Sequence, residues 1–276
     1  MPQPTWRQVN VAFPDWERAE AIAVAEIAPL MESAEDAGAI ATWFFVRKHP
    51  CWRIRYAPVA SLQDAIDDRL EALVAAGSVT GWTESVYEPE VHAFGGTPAM
   101  DSAHQFFHHD SHHLLHFLHG DTARHRRETS LMLCSLMLRA AGLDWYEQGD
   151  VWARVAAHRP LPAVPEPDSN QRLHAAVRRL ITVDPQHAMQ PGSPLIGAEA
   201  WAAVYTAAGS DLARLNQTGR LHRGIRDVIA HHVIFAWNRL GLPYSTQAVL
   251  TAAAQTVIFG PDTSTERSTA HRVETL

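Results

Sequence analysis

Residues 42–56, TWFFVRKHPCWRIRY, hold two short runs of aromatic and β-branched residues with a turn between them. Thr42 to Val46 and Trp52 to Tyr56 each have the composition typical of a β-strand. The tripeptide Lys48-His49-Pro50 connects the two runs over a short distance. This stretch therefore predicts a β-hairpin, and the rest of the N-terminal third can be interpreted around it.

The segments that flank the hairpin alternate between strand and helix patterns. Residues 6–13 alternate apolar and polar side chains, as a half-buried strand does, and residues 16–30 carry an apolar helical stripe that extends to Gly38. After the hairpin, Ser61 caps a second predicted helix and residues 82–91 form a further predicted strand. The resulting order, β-α-β-β-α-β, is that of a ferredoxin-like unit.

The remainder of the chain is predicted to be mainly helical. Pro98 stands in the first turn of a long helix that extends to about His119. Further helical patterns follow at residues 127–141, 145–157, 170–181, 197–215, 225–240 and 245–257. The predicted fold class is α+β: a sheet unit over residues 1–96, a helical part over residues 97–260 packed on it in one compact domain, and a flexible tail over residues 261–276.

Composition excludes several classes of protein. The chain has 276 residues, of which 46% are hydrophobic, so it can bury a full core, and its net charge of -7 argues against nonspecific nucleic-acid binding. Lys48 is the only lysine, so a P-loop is excluded and a Schiff-base lysine has no suitable context. A polar N-terminus and the lack of a long apolar run predict no signal peptide and no membrane span. Two distant cysteines, Cys51 and Cys134, fit a cytoplasmic protein.

Arginines dominate the predicted hairpin. Arg53 and Arg55 are two residues apart, so they point to the same face of a strand, and Arg47 belongs to the same predicted hairpin. Two guanidinium groups on one face, flanked by an aromatic residue such as Trp52, can hold a carboxylate or peptide carbonyl groups. The alternative interpretation is a solvated basic face that nearby acids neutralise.

A second set of polar residues follows in the predicted strand over residues 82–91. Glu88 and Glu90 share one face of that strand, and such a carboxylate pair can transfer protons if one pKa is raised. The same carboxylates could instead neutralise the hairpin arginines. Tyr87 precedes them, and Gly95-Gly96 allows a tight turn or the close approach of a substrate backbone.

Histidines crowd the long helix, where eight of the chain's 17 lie within 22 residues. Four of them recur at every fourth position and therefore form one ridge of the helix. These four are His104, His108, His112 and His116. Side chains on a single ridge point outward in parallel and do not close a tetrahedral metal site without help from His231-His232 or a carboxylate elsewhere. No metal is therefore expected, and His104 is the favoured candidate for acid–base work.

Three polar residues interrupt an otherwise apolar helical pattern near the C-terminus. They are His232, Asn238 and Arg239. Buried polar groups must find hydrogen-bond partners, so these side chains either fix the packing or line a cleft.

In this order the motifs resemble the thiopeptide-type bacteriocin biosynthesis domain, and the resemblance extends from about Trp6 to Gly260. The motifs are WFFVR (43–47), WRIRY (52–56), YEPE (87–90), FGG (94–96), AH (103–104), DS (110–111), AGLDW (141–145), GDVW (149–152) and NRLG (238–241). This domain is also the C-terminal elimination domain of class I lanthipeptide dehydratases, and it occurs as a free-standing protein in thiopeptide pathways.

The resemblance implies one of two reactions on a leader-bearing precursor peptide. The dehydratase domain removes glutamate from glutamylated Ser or Thr and leaves a dehydroamino acid. The free-standing pyridine synthases join two dehydroalanines in a formal [4+2] cycloaddition, after which water and the leader are lost and a pyridine macrocycle remains. Neither reaction implies a metal or another cofactor. The implied partners are the precursor peptide and a dehydratase of the same pathway.

The resemblance also implies which residues form the site. The expected catalytic residues are Tyr87, Glu88, Glu90, His104 and His232. The expected substrate-binding residues are Arg47, Trp52, Arg53, Arg55, Gly95, Gly96, Asp110, Ser111, Asn238 and Arg239.

The chain departs from the eliminase pattern in two places. An eliminase carries an arginine in the segment that corresponds to residues 87–96, and this chain has none there. An eliminase also places a catalytic histidine ahead of the Asn-Arg pair. This chain has both His232 and Ile234 in that stretch, so the sequence alone does not align His232 with the catalytic position. These departures favour the cyclase, with glutamate elimination and a non-catalytic leader-binding subunit as the alternatives.

Overall fold

The computed structural model describes residues 5–59, 64–120, 125–161, 167–184, 187 and 195–260. The predicted cap at Ser61 and the predicted tail over residues 261–276 lie outside these ranges.

The strands form a four-stranded antiparallel sheet in the order β2-β3-β1-β4 within the described residues. The strands are β1 (Arg7–Ala12), β2 (Ile40–Lys48), β3 (Cys51–Pro58) and β4 (Gly81–Ser85). β2 and β3 form the predicted hairpin, and the peptide bond between His49 and Pro50 in its turn is cis. This pairing confirms the hairpin prediction. The physical reason is that aromatic and β-branched side chains pack well on a pleated surface.

Helices connect the strands on either side of the hairpin. α1 (Ala19–Ile22) continues through one π-helical turn (Ala23–Ile27) into α2 (Ala28–Asp36). α3 (Asp64–Ala75) precedes β4. Along the chain the order is therefore strand, helix, strand, strand, helix, strand.

The last strand is shorter than predicted. β4 ends at Ser85, and residues 86–90 are irregular before a turn begins at Val91. Pro89 has no backbone N–H to donate to a neighbouring strand, which disfavours a continued ladder. The prediction that Glu88 and Glu90 share a strand face is therefore wrong.

The rest of the described chain is helical, as predicted. The helices are α4 (Thr97–His119), α5 (Arg126–Ala140), α6 (Trp145–His158), α7 (Pro167–Thr182), α8 (Glu199–Gln217), α9 (Ile225–Leu240) and α10 (Tyr244–Phe259). A capping box starts α6, since Asp144 accepts from the Glu147 backbone N–H at 2.8 Å and Glu147 accepts from the Asp144 backbone N–H at 3.0 Å. None of the described helices is both long and apolar enough to cross a membrane.

The sheet and the helical part share one buried core. α4 lies along β2, and the backbone N–H of Phe45 donates to Ser111 Oγ of α4 at 3.4 Å. Arg47 of β2 adds a second link, because its Nε donates to the Arg239 carbonyl oxygen and its Nη1 to Glu20, each at 2.6 Å. Glu20 also accepts from Arg126 of α5 at 2.8 Å. These contacts join the sheet, α1, α5 and α9.

Candidate functional site

One face of the sheet carries the polar side chains of the candidate site. In the strand register, Gln8 stands opposite Arg55 and Asn10 stands opposite Arg53. Phe44 of β2 is the neighbour of Arg55 on its other side. Arg53 and Arg55 therefore share a face, as strand alternation predicts.

Arg55 lies at the centre of this face and is only 5% exposed. Its Nε donates to Gln8 Oε1 at 2.7 Å, and Gln8 in turn donates to Ser85 Oγ at 2.7 Å. Its Nη1 has no hydrogen-bond partner within the described ranges. Burial lowers the pKa of Arg55 below its ordinary value, while the charge of Glu90 acts in the opposite direction. The site thus holds a desolvated guanidinium with one donor nitrogen left over.

Next to this guanidinium, two neutral groups share a hydrogen bond. Tyr87 Oη lies 2.8 Å from His104 Nε2. Burial raises the pKa of Tyr87 well above its ordinary value. Burial, with a contribution from the charge of Arg55, lowers the pKa of His104 to about 4. At neutral pH the pair therefore consists of a phenol and an uncharged imidazole that share one proton.

Aromatic rings surround this pair. The centroid of the Trp6 ring is 4.6 Å from that of His104 and 5.4 Å from that of Phe44. The Arg55 guanidinium carbon lies 4.2 Å from the centre of the Tyr87 ring, a cation–π contact. Trp6 and His104 also line an open cavity of about 550 Å³. A cavity of this size accommodates a small group or a short peptide segment.

Sequence reasoning missed several members of the site. They are Trp6, Gln8, Asn10, Phe44 and Ser85. Their alternation along each strand is visible in the sequence, but their pairing with Arg53 and Arg55 depends on the register between distant strands.

The two glutamates that precede the Gly-Gly pair lie at the surface. Glu88 and Glu90 are both exposed, and Glu90 acts on Arg55 and Tyr87 through its charge. Gly95 has φ +88° and Gly96 has φ +104°, a region that disfavours side chains.

The Gly-Gly pair packs closely against the chain before α9. A Cβ on Gly95 would lie 2.7 Å from Leu221, and one on Gly96 would lie 2.8 Å from His222. The glycines therefore allow a close approach of protein to protein at the start of α4.

Asp110 and Arg239 form a buried ion pair in the helical core. Arg239 Nε and Nη2 each lie 2.7 Å from Asp110 Oδ2. Asp110 Oδ1 accepts from Trp201 Nε1 at 2.8 Å and from Tyr205 Oη at 3.0 Å. Ser111, next along α4, donates to the Phe107 carbonyl oxygen at 2.7 Å. These residues connect α4, α8 and α9, and none of them lines the cavity beside His104.

His232 occupies an aromatic part of the core. Its ring centroid is 5.0 Å from that of Phe94 and 5.4 Å from that of Phe106. Neither ring nitrogen has a hydrogen-bond partner in the described part of the chain. Burial lowers the pKa of His232 to about 3. Asn238, six residues further along α9, accepts from Gln247 at 3.2 Å.

Arg47 and Trp52 lie on the opposite face of the hairpin from Arg55. The Arg47 guanidinium carbon is 4.5 Å from the centre of the Trp52 ring. The Trp52 ring also stacks on Phe45, with a centroid distance of 4.7 Å. The structure therefore separates the predicted binding residues into a group around Arg55 and a group that joins the sheet to the helices.

The chain belongs to the lantibiotic biosynthesis dehydratase C-terminal family, whose model matches residues 6–258. No curated protein sequence matches the chain.

Solved structures share the fold at low sequence identity. The pyridine synthase TbtD from thiomuracin biosynthesis superposes with a TM-score of 0.65 at 11% identity, over 93% of this chain and 98% of that protein. TsrL gives a TM-score of 0.61 at 16% identity, over 94% and 99% of the two chains. The tRNA-dependent lantibiotic dehydratase MibB from Microbispora sp. 107891 gives 0.63 at 18% identity. That match covers 99% of this chain but only 29% of MibB.

Proposed function

We propose that the chain catalyses a formal [4+2] cycloaddition between two dehydroalanines of a leader-bearing precursor peptide, after which loss of water and of the leader leaves a pyridine macrocycle. The observation that carries this proposal is the 2.8 Å contact between Tyr87 Oη and His104 Nε2, beside the partly unpaired guanidinium of Arg55. The likeness to TbtD, which extends over nearly the full length of both chains, supports it.

The proposed reaction needs a proton moved within one amide. A peptide amide becomes an azadiene when its nitrogen loses a proton and its oxygen gains one. The Tyr87–His104 pair can take up the first proton and deliver the second, and it ends in the protonation state in which it began. Burial keeps both groups neutral at neutral pH. The pair therefore carries no charge before it takes up a proton from the amide nitrogen or delivers one to the amide oxygen.

Arg55 supplies the electrostatic part of the proposed mechanism. Its guanidinium, whose buried Nη1 has no hydrogen-bond partner among the described residues, would stabilise the electron density that the amide oxygen gains. The guanidinium lies over the Tyr87 ring, so it also stabilises charge that develops on the phenol oxygen. Because Gln8 and Ser85 fix the position of Arg55, this donor is held in place before the substrate arrives.

Glutamate elimination is the second candidate function. It is favoured by the dehydratase family itself and by Arg53 and Arg55, which share a sheet face and could hold the carboxylates of a glutamyl group. The absence of an arginine from residues 87–96 removes one cation that the eliminase pattern contains. We therefore place elimination second.

The proposed partner is the precursor peptide, with a dehydratase that prepares it. β4 is one of the two outer strands of the described sheet, so an extended leader could pair with its free edge. We also assign the sheet unit to the ferredoxin-like class, because β1 and β3 occupy the centre of the sheet and β2 and β4 its edges.

Two substrates distinguish the candidate functions. The purified full chain is incubated separately with a dehydrated, leader-bearing precursor and with its glutamylated form, and the products are analysed by mass spectrometry. The proposed cyclase releases leader amide and a macrocycle from the first substrate and leaves the second unchanged. If the chain instead removes glutamate from the second substrate and leaves the first unchanged, its function is elimination and the proposed cycloaddition is wrong. Tight binding of both peptides without turnover would instead identify a binding subunit.

A further inference from the structure

The histidine ridge of α4 meets a carboxylate from a second helix. His108 Nε2 lies 3.3 Å from Glu35 Oε1, and His112 Nε2 lies 2.9 Å from Glu35 Oε2. Glu35 belongs to the last turn of α2, so the three side chains come from two different elements. One ligand atom from each lies within 4.8 Å of the other two. Glu35 therefore supplies the carboxylate from outside α4 that histidines on a single helix need to complete a metal site.

Trp43 of β2 orients two of these three side chains. Its carbonyl oxygen lies 3.0 Å from His108 Nδ1 and its backbone N–H lies 3.3 Å from the same nitrogen, so Trp43 holds the ring with Nε2 toward Glu35. Its indole Nε1 donates to Glu35 Oε2 at 3.1 Å. A backbone carbonyl on the far nitrogen of a ligating histidine, and a donor to the ligating carboxylate, are typical of outer contacts in protein metal sites.

We propose that Glu35, His108 and His112 bind one divalent transition-metal cation. Two imidazole nitrogens and a carboxylate oxygen suit Zn²⁺, Ni²⁺, Co²⁺ or Cu²⁺ rather than Mg²⁺ or Ca²⁺. Tetrahedral binding at about 2.1 Å separates the ligand atoms by about 3.4 Å. His112 Nε2 and Glu35 Oε2 are 2.9 Å apart, closer than this, and all three ligand atoms lie within 4.8 Å of one another, so metal binding requires only small side-chain rotations.

The surroundings leave one coordination position for solvent. The side chains of His108, His112 and Glu35 are 14%, 29% and 27% exposed, so the cluster lies at the surface rather than in the core. Glu32 Oε1 lies 3.8 Å from His112 Nδ1 and can orient that ring from its other side. His108 also lines the cavity that contains His104, so the bound ion would brace α2 against α4 beside the candidate site.

Metal titrations of the full chain test this proposal without reference to any enzymatic activity. Metal-free protein is titrated with Zn²⁺ against a chromophoric chelator, and with Co²⁺ while the visible ligand-field bands are recorded. We expect one equivalent of Zn²⁺ to bind and Co²⁺ to give tetrahedral bands. His112→Ala and Glu35→Gln should each weaken Zn²⁺ binding by at least about tenfold.

His119→Ala is the matched control, because His119 is an exposed histidine of the same helix outside the cluster. It should bind Zn²⁺ as the unchanged protein does. Thermal melts of the metal-free variants establish that each one folds. The proposal is overturned if the unchanged protein binds no stoichiometric Zn²⁺, or if folded His112→Ala and Glu35→Gln retain its affinity. Since the readout is metal binding, failure of the proposed cyclase activity would not affect this result.

Discussion

The structure buries two arginines, Arg55 and Arg239, in contrasting ways. Arg239 is fully buried and places two nitrogens 2.7 Å from the carboxylate of Asp110. Arg55 is almost as deeply buried, yet Gln8 supplies only an uncharged amide oxygen to it. Among the described residues, no carboxylate lies within ion-pair distance of Arg55.

This difference separates a buried cation that has a carboxylate partner from one that has none among the described residues. A buried charge is costly unless a partner neutralises it. In the helical core, Asp110 provides that partner and two further donors complete its hydrogen bonds. At the sheet, the unpaired nitrogen of Arg55 retains an unused donor next to Tyr87 and His104. In the proposed mechanism a substrate oxygen partners Arg55 as Asp110 partners Arg239, although Arg239 Nη1 likewise has no hydrogen-bond partner in the described part of the chain.

The largest expected effect is the loss of stability when the ion pair between Asp110 and Arg239 is broken. Asp110→Asn leaves the Arg239 charge buried without a counter-charge, so it should lower the free energy of unfolding by about 3–5 kcal/mol. Chemical denaturation measures this loss. The control is Asp150→Asn, which removes partly exposed ion pairs to Arg154 and Arg226 and should cost less than about 1 kcal/mol. Equal losses in the two variants would show that the Asp110 pair has no special role in stability.

Replacement of Arg55 should affect turnover rather than stability. Arg55→Met removes a desolvated charge, so the free energy of unfolding should stay within about 1 kcal/mol of that of the unchanged protein. Turnover of the dehydrated precursor should nevertheless fall by about 100- to 1,000-fold, because a donor to the developing oxyanion is lost. Mass-spectrometric rates and denaturation curves measure the two quantities. Arg53→Met is the matched comparison and should slow turnover less; a stable Arg55→Met variant with full turnover would contradict the proposed role.

Removal of the phenol tests the hydrogen-bonded pair. Tyr87→Phe should slow the cyclisation by about 100-fold, since proton transfer through the pair is lost. Its free energy of unfolding should fall by about 1 kcal/mol, because a buried hydrogen bond is lost. Tyr146→Phe, at a tyrosine that is 66% exposed, serves as the control for both assays. An unchanged rate in Tyr87→Phe would remove this residue from the mechanism.

The pH dependence of stability should reflect the neutral histidines. In the folded chain the pKa of His104 is about 4 and that of His232 about 3, below the ordinary value of 6.5. The unfolded chain therefore binds more protons below about pH 6.5, and stability falls as the pH decreases toward the folded-state values. His104→Gln should reduce this slope between pH 6.5 and 4 by up to about 1.4 kcal/mol per pH unit. Denaturation at several pH values measures the slope, and an identical slope in the variant would contradict the assignment.

Local patterns predicted much of the fold. The hairpin and the described helices could be predicted because aromatic runs, helical periodicity and caps act over a few residues. The predicted strand over residues 82–91 was too long because its apolar and polar alternation outweighed the effect of Pro89 on strand pairing. The positions of Glu88 and Glu90 depended on that strand, so that part of the site could not be placed.

The parts of the site that could not be predicted from the sequence depend on contacts between distant segments. The shared face of Arg53 and Arg55 follows from alternation alone, whereas the partnership of Arg55 with Gln8 depends on the pairing of two strands 47 residues apart. The contact between Tyr87 and His104 depends on the path of the irregular segment between β4 and α4. Glu35 reaches the histidine ridge only because α2 packs beside α4.

The Arg47 link has a consequence for how the chain can be divided. It joins β2 to Glu20 and to the Arg239 carbonyl oxygen, while Phe45 of the same strand donates to Ser111 of α4. A cut after residue 96 would leave each fragment with half of a shared aromatic core open to water. Neither fragment is expected to fold when it is expressed alone, and the two should regain helical circular dichroism when they are mixed. Reassembly of the two fragments would therefore report on the core that they share.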